Sequence, residues 1–164
     1  MSESASGQAF RYQNAHWLWI SAIVIVADQI TKQLVVRSFD LYDRLVIAPF
    51  FNLVRLHNTG AAFSMFAGAT PLFFVALTVV VSIGILMWLR RNPHTDRLVG
   101  ASLALILGGA LGNAIDRVAR GHVIDFLDLH AAGYHWPAFN IADCAITVGA
   151  ALLLLDMWRK RGES

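Results

Sequence analysis

The sequence predicts an all-α membrane protein with a small extramembrane β element: four transmembrane helices, with both termini cytoplasmic. Three observations lead there. The 164 residues are 57% hydrophobic and 15% charged, against about 45–50% and 25% for a soluble domain. Four apolar stretches, at about 17–36, 71–89, 98–115 and 140–158, each come near the roughly 20 residues that a helix needs to cross hydrocarbon. Between the first two lies a segment of different texture, about 37–67, rich in β-branched and aromatic residues. The length fits a single membrane domain over 1–164. A net charge of +2, with no basic block interleaved with aromatics, argues against a nucleic-acid partner.

Residues 1–16 are polar and small, and read as a cytoplasmic tail. Trp17 to Ala27 resembles the apolar core of a secretory signal. However, Asp28, Gln29, Thr31 and Lys32 follow without a small-x-small cleavage site and the helical pattern runs on to about Val36, so an uncleaved first span is expected. Asp28 and Lys32 are four apart and can pair on one helical face. In 37–67, rough alternation, Pro49 and the turn Asn58-Thr59-Gly60 predict a sheet or hairpin, with or without an interfacial helix. Phe50, Phe51, Phe63 and Phe66 suit a surface against lipid. Asn58 reads first as a turn residue.

Pro71 to Leu89 carries no charge, and Arg90 and Arg91 end it. The third span, Leu98 to Ile115, contains Gly108 and Gly112 at G-x-x-x-G spacing, and the fourth has Ala145 and Gly149; small pairs of this kind let helices pack closely in lipid. Arg11, Arg90, Arg91, Arg97, Arg159, Lys160 and Arg161 fall on one side, against Arg37, Arg44, Arg55, Arg117 and Arg120 on the other. That modest bias places the first set in the cytoplasm.

This topology gathers the polar residues at one face. Asp28 and Lys32 lie near the outer end of span one. Asn113, Asp116 and Arg117 share a face at the outer end of span three. Asn140 and Asp143 open span four, and Asp125 lies in the outer link before it. Asp156, near the inner end, reads as an ion pair with Arg159 or Lys160. Ionisable groups at the edge of apolar runs are costly and call for a functional explanation.

His57, His122, His130 and His135 show no metal-binding H-E-x-x-H or H-x-x-E-H spacing, and are expected to be solvated at the interface. The single cysteine, Cys144, reads as a small buried residue. There is no G-x-S-x-G elbow.

Two nearby carboxyls that share one proton could activate water and protonate a leaving nitrogen. From the residues alone, that enzyme stands level with a small carrier or channel having an acidic gate, and a non-enzymatic assembly factor is a third reading. A carrier usually needs polar groups near the midplane, where these spans are apolar. The convergent Asp, Asn and Arg side chains weigh against an assembly factor.

Five boxes in order resemble the lipoprotein signal peptidase (signal peptidase II) family. They are Asp28-Gln-Ile-Thr-Lys32, Asn58-Thr-Gly-Ala-Ala-Phe63, Gly108 to Arg117, Val123 to Phe126 and Phe139 to Asp143. The resemblance implies a bacterial inner-membrane aspartyl endopeptidase, without metal or cofactor. It would cut diacylglyceryl-modified prolipoproteins before the lipidated cysteine, at the periplasmic face. It further implies Asp125 and Asp143 as the catalytic pair, with Asn58, Gly60, Asn113, Arg117 and Asn140 lining and orienting the site. Asp28 and Lys32 would support the fold, and Asp116 would pair with Arg117 or Lys32. The expected partners are the lipidated prolipoprotein and membrane lipids, with the protein a monomer. Asp125, on a link, is expected to be able to move, with 37–67 covering the site.

Overall fold

The computed structural model of the protein describes residues 14–60, 70–92 and 95–162. Phe63 and Phe66, the end of the Asn58–Phe63 box and most of the N-terminal tail lie outside them, as does any helix within 61–69. Helix α1 (Leu18–Ser38) follows a single 3-10 turn. The hairpin β1 (Arg44–Ala48) and β2 (Phe51–Asn58) comes next, then α2 (Pro71–Arg91) and α3 (Arg97–Arg120). Strands β3 (Val123–Ala131) and β4 (Tyr134–His135) precede α4 (Ile141–Arg161). All four long helices are long and apolar enough to cross a membrane.

The third helix runs five residues past its apolar stretch, because Asp116 to Arg120 keep helical geometry after the hydrophobic pattern ends. It stops at Gly121, whose φ of +76° is a left-handed cap that glycine adopts without a Cβ penalty. Helix α3 is the hub, packing against α1, α2 and α4. The glycines make this possible. A Cβ on Gly108 would lie 2.9 Å from the Ser21 backbone, and one on Gly149 2.7 Å from the Ser102 carbonyl oxygen. The small-residue pairs are therefore sites of close helix approach, as the spacing predicts.

The sheet is larger than the sequence predicts. The outer link contributes strands, giving a four-stranded antiparallel sheet in the order β1-β2-β3-β4. Sequence reading missed β3 because Val-Ile-Asp-Phe-Leu-Asp-Leu-His is a short run whose partner lies two helices earlier in the chain. Val35 of α1 packs with Ile124 and Phe126 of β3, seating the sheet on the end of the first helix. At the opposite end of the bundle, Ile85, Leu89 and Leu107 form a second cluster.

Candidate active site

The link that carries Asp125 is a strand. Asp125 lies in β3, 3% exposed, opposite Leu56 of β2. One extra residue on β2 between Leu53 and Leu56 bulges the pairing. Since alternate residues face opposite sides of a sheet, that bulge brings Asn58 onto the same face as Asp125. Asn58 Nδ2 then donates to Asp125 Oδ2 at 2.9 Å. Its Oδ1 accepts from the Gly60 N–H at 2.9 Å, so Asn58 closes the turn and bonds Asp125 at once.

Helix α4 supplies the second carboxyl. Asn140 is its N-cap, with extended backbone. Its Oδ1 accepts the Asp143 N–H at 2.9 Å, and the Asp143 Oδ2 accepts the Asn140 N–H at 3.3 Å. This reciprocal box satisfies two backbone donors that the helix leaves free. The same asparagine turns its Nδ2 to Asp125 Oδ1 at 2.7 Å. One fully buried residue thus holds both carboxyls, that of Asp125 by its side-chain amide and that of Asp143 by its backbone N–H. From α3, Asn113 Nδ2 donates to the Asp143 Oδ1 at 2.7 Å.

Behind these groups is a closed charge network. Lys32 Nζ, 0% exposed, meets Asp28 Oδ2 at 2.8 Å, Asp116 Oδ2 at 2.9 Å and Asn113 Oδ1 at 2.9 Å. Asp28 Oδ1 also accepts the Ala142 N–H at 3.0 Å, bracing the first turn of α4. Asp116 pairs with Lys32 and Arg120, not with Arg117. Arg117 instead points its Nη2 at the Gly60 carbonyl at 2.8 Å and stacks over Phe74, 4.5 Å from the ring centroid. Gln29 was not singled out in the sequence, yet it bridges Asp28, Asp116 and the Gly112 carbonyl. A polar residue beside Asp28 in a lipid-spanning helix was the available signal. Far from this cluster, Asp156 pairs with Lys160 at 2.9 Å.

Asp125 is pushed up from 3.8 to about 7, first by burial and then by the neighbouring Asp143 charge; the Asn58 and Asn140 amides oppose the rise. The histidines are not independently solvated. His57 stacks on His122, 3.7 Å between ring centroids, and His130 stacks on His135 at 4.8 Å. His57 is held below the usual imidazole value by burial, then by His122 and Arg55. Among the described residues, no group of three or more His, Cys, Asp or Glu is placed to hold a metal ion.

Asn58, Gly60, Asn113, Arg117, Asp125 and Asp143 all border one cleft of about 1180 Å³. Its other walls are apolar residues of the spanning helices, among them Leu77, Val81, Ile106, Ile146 and Val148. Cys144, expected in the core, borders it too, as do His57 and Trp136. Asn140, Asp28, Lys32 and Asp116 stand behind this wall, fully buried. The arrangement sets two buried or half-buried carboxyls at the polar part of an otherwise apolar cleft.

Known proteins share this plan. A family model described as "Signal peptidase (SPase) II" matches residues 20–159. The "Lipoprotein signal peptidase" of Alteromonas mediterranea is 48% identical over 153 residues, 92% of this chain and 84% of the relative. The protein of the same description from Burkholderia pseudomallei is 52% identical over 149 residues, 89% of each. Among solved structures, a bacterial membrane enzyme determined by the in meso method at 2.3 Å superposes with a TM-score of 0.84 and 30% identity, over 92% of both chains.

Proposed function

The chain belongs to the signal peptidase II family of membrane aspartic endopeptidases, which remove signal peptides from prolipoproteins, and on that premise we propose that Asp125 and Asp143 are its catalytic pair. The observation that carries the assignment is that one residue, Asn140, donates to both carboxyls, to Asp125 from its side chain and to Asp143 from its backbone, beside a largely apolar cleft. A pair so coupled holds one proton between two carboxyls. The ionised member takes a proton from water as it attacks the scissile carbonyl. The protonated member donates to that carbonyl oxygen; as the tetrahedral intermediate collapses, the member that took the water's proton passes it to the leaving nitrogen, and the first proton returns from the gem-diol oxygen.

The substrate class follows from the slot. Apolar walls between α2, α3 and α4 suit the acyl chains of a diacylglyceryl-cysteine, which would hold the bond before that cysteine against the carboxyls. Binding energy from the lipid then serves to position the peptide. Arg117 and Asn58 would orient the peptide backbone from the Gly60 side. The arginine and lysine bias supports a topology with both chain termini in the cytoplasm and the cleft at the outer face of the inner membrane. The protein would act as a monomer on lipidated prolipoprotein.

The test is cleavage of a lipidated prolipoprotein in detergent, against an unlipidated control. Wild type should cut only the lipidated substrate before the cysteine, while Asp125→Asn and Asp143→Asn should insert and bind but not cut. Normal processing by Asp143→Asn would remove the pair from the account.

A further inference from the structure

We propose that Lys32, remote from the cleft, is a positioning residue for the reaction: through Asn113 it fixes Asp143 as the carboxylate that takes the proton from water. The inference rests on the catalytic pair proposed above and adds which member does what.

An ammonium has three protons and no acceptor. Lys32 uses them on Asp28, Asp116 and Asn113 Oδ1, all within 2.9 Å and out of reach of solvent. The third contact constrains Asn113. If its amide were reversed, an NH2 group would face an ammonium, two donors with no acceptor between them. Asn140 Nδ2 reaches the same Asn113 oxygen at 3.2 Å. With Oδ1 committed twice, the Asn113 NH2 can only face Asp143, where it donates at 2.7 Å.

Asp143 therefore receives a donor whose direction is set two residues away, as well as the Asn140 N–H. It also lies in the first turn of α4, where the helix dipole favours a carboxylate. Asp125 lies on a strand and meets the start of that helix only through the Asn140 side chain. The proton of the pair accordingly rests on Asp125, and Asp143 is the base.

Lys32 also balances charge, since it and Arg120 together offset Asp28 and Asp116, and the test must separate that role from the hydrogen bond. The groups that face Asp143 electrostatically are Asp125 from β3, Arg117 from α3, Lys32 and Asp28 from α1, and the adjoining Cys144 thiol.

A charge-balanced variant isolates the hydrogen bond. Lys32→Met with Asp28→Asn removes one cation and one anion, leaves Asp116 paired with Arg120, and keeps an acceptor at position 28 for the Ala142 N–H. Melting temperature, kcat, KM and the pH profile of kcat are measured in detergent. The expected result is a near-wild-type melting temperature and KM, with kcat down about 10–100-fold, the loss for one hydrogen bond to a charged group. The acidic limb of the profile should move to higher pH, because Asn113, then held only by Asn140, donates less firmly to the ionised Asp143. In an Asn113→Ala background the same pair of changes should have no further effect on kcat, since Lys32 acts through that amide.

A wild-type kcat and profile in the charge-balanced variant, or multiplicative losses in the Asn113→Ala background, would overturn the proposal. If the first variant does not insert, Lys32→Met with Asp116→Asn enters the same cycle, with the same outcomes decisive. Loss of cleavage in Asp143→Asn alongside a wild-type profile here would sink the role of Lys32 and leave the catalytic pair standing.

Discussion

Gly112 presses its α-carbon against the Asp28 carboxylate: a Cβ there would lie 2.7 Å from Asp28 Oδ2 and 3.4 Å from the Ala142 Cβ. Asp28 cannot retreat, because Lys32 and the Ala142 N–H hold it. Gly112→Ala should therefore destabilise the folded protein by about 1–3 kcal/mol, the usual cost of overpacking, and lower cleavage with it. A melting temperature compared with that of Gly84→Ala, where a Cβ meets nothing within 4 Å, checks this.

Asn140 does two jobs that a substitution can separate. Asn140→Ser keeps an oxygen for the Asp143 N–H, so the cap and the melting temperature should survive, whereas Asn140→Ala should cost about 1 kcal/mol of stability. Both variants lose the donor to Asp125, and both should cut at least about tenfold more slowly. Rates and melting curves for the two variants, taken together, decide it.

With Asp125 held near pH 7, kcat/KM, which reports the free enzyme, should fall as the pH rises through about 7 and Asp125 loses its proton. The Asn58 amide favours the charged form of Asp125, so Asn58→Ala should move that basic limb to higher pH. An unmoved or lowered limb would contradict the geometry at this strand pair.

The same carboxyl should make the protein less stable as pH rises. Asp125 ionises near 3.8 unfolded and near 7 folded, so the folded state binds more protons between those values and loses stability from about pH 4 to 7. The loss is at most about 4 kcal/mol. Asp125→Asn, inactive, should melt higher than wild type at pH 8 and show a flatter pH dependence of melting temperature.

The helices were legible because hydrophobic length is a local property: each of the four lipid-crossing stretches appears in one window of sequence. The Asp28–Lys32 pair was legible for the same reason, being one turn apart. The second half of the sheet was not, since β3 meets β2 only across two helices. The β2 bulge that turns Asn58 toward Asp125 leaves no mark in composition. Asp116 was ambiguous between Lys32 and Arg117 because helical spacing gives a residue's face but not which neighbouring helix fills the space beside it. Cys144 looked like filler because its apolar neighbours conceal that its helix borders a cleft.

The pairing of β2 with β3 has a consequence for biogenesis. Between Asn58 and Asp125 the ribosome must deliver two complete lipid-crossing helices, and Asn140 follows later still. A nascent chain thus carries its acidic residues unassembled until the last helix docks. On the proposed assignment of Asp125 and Asp143, the proteolytic centre stays in pieces until synthesis ends, which gives the growing polypeptide no opportunity to attack itself or its neighbours at the translocon.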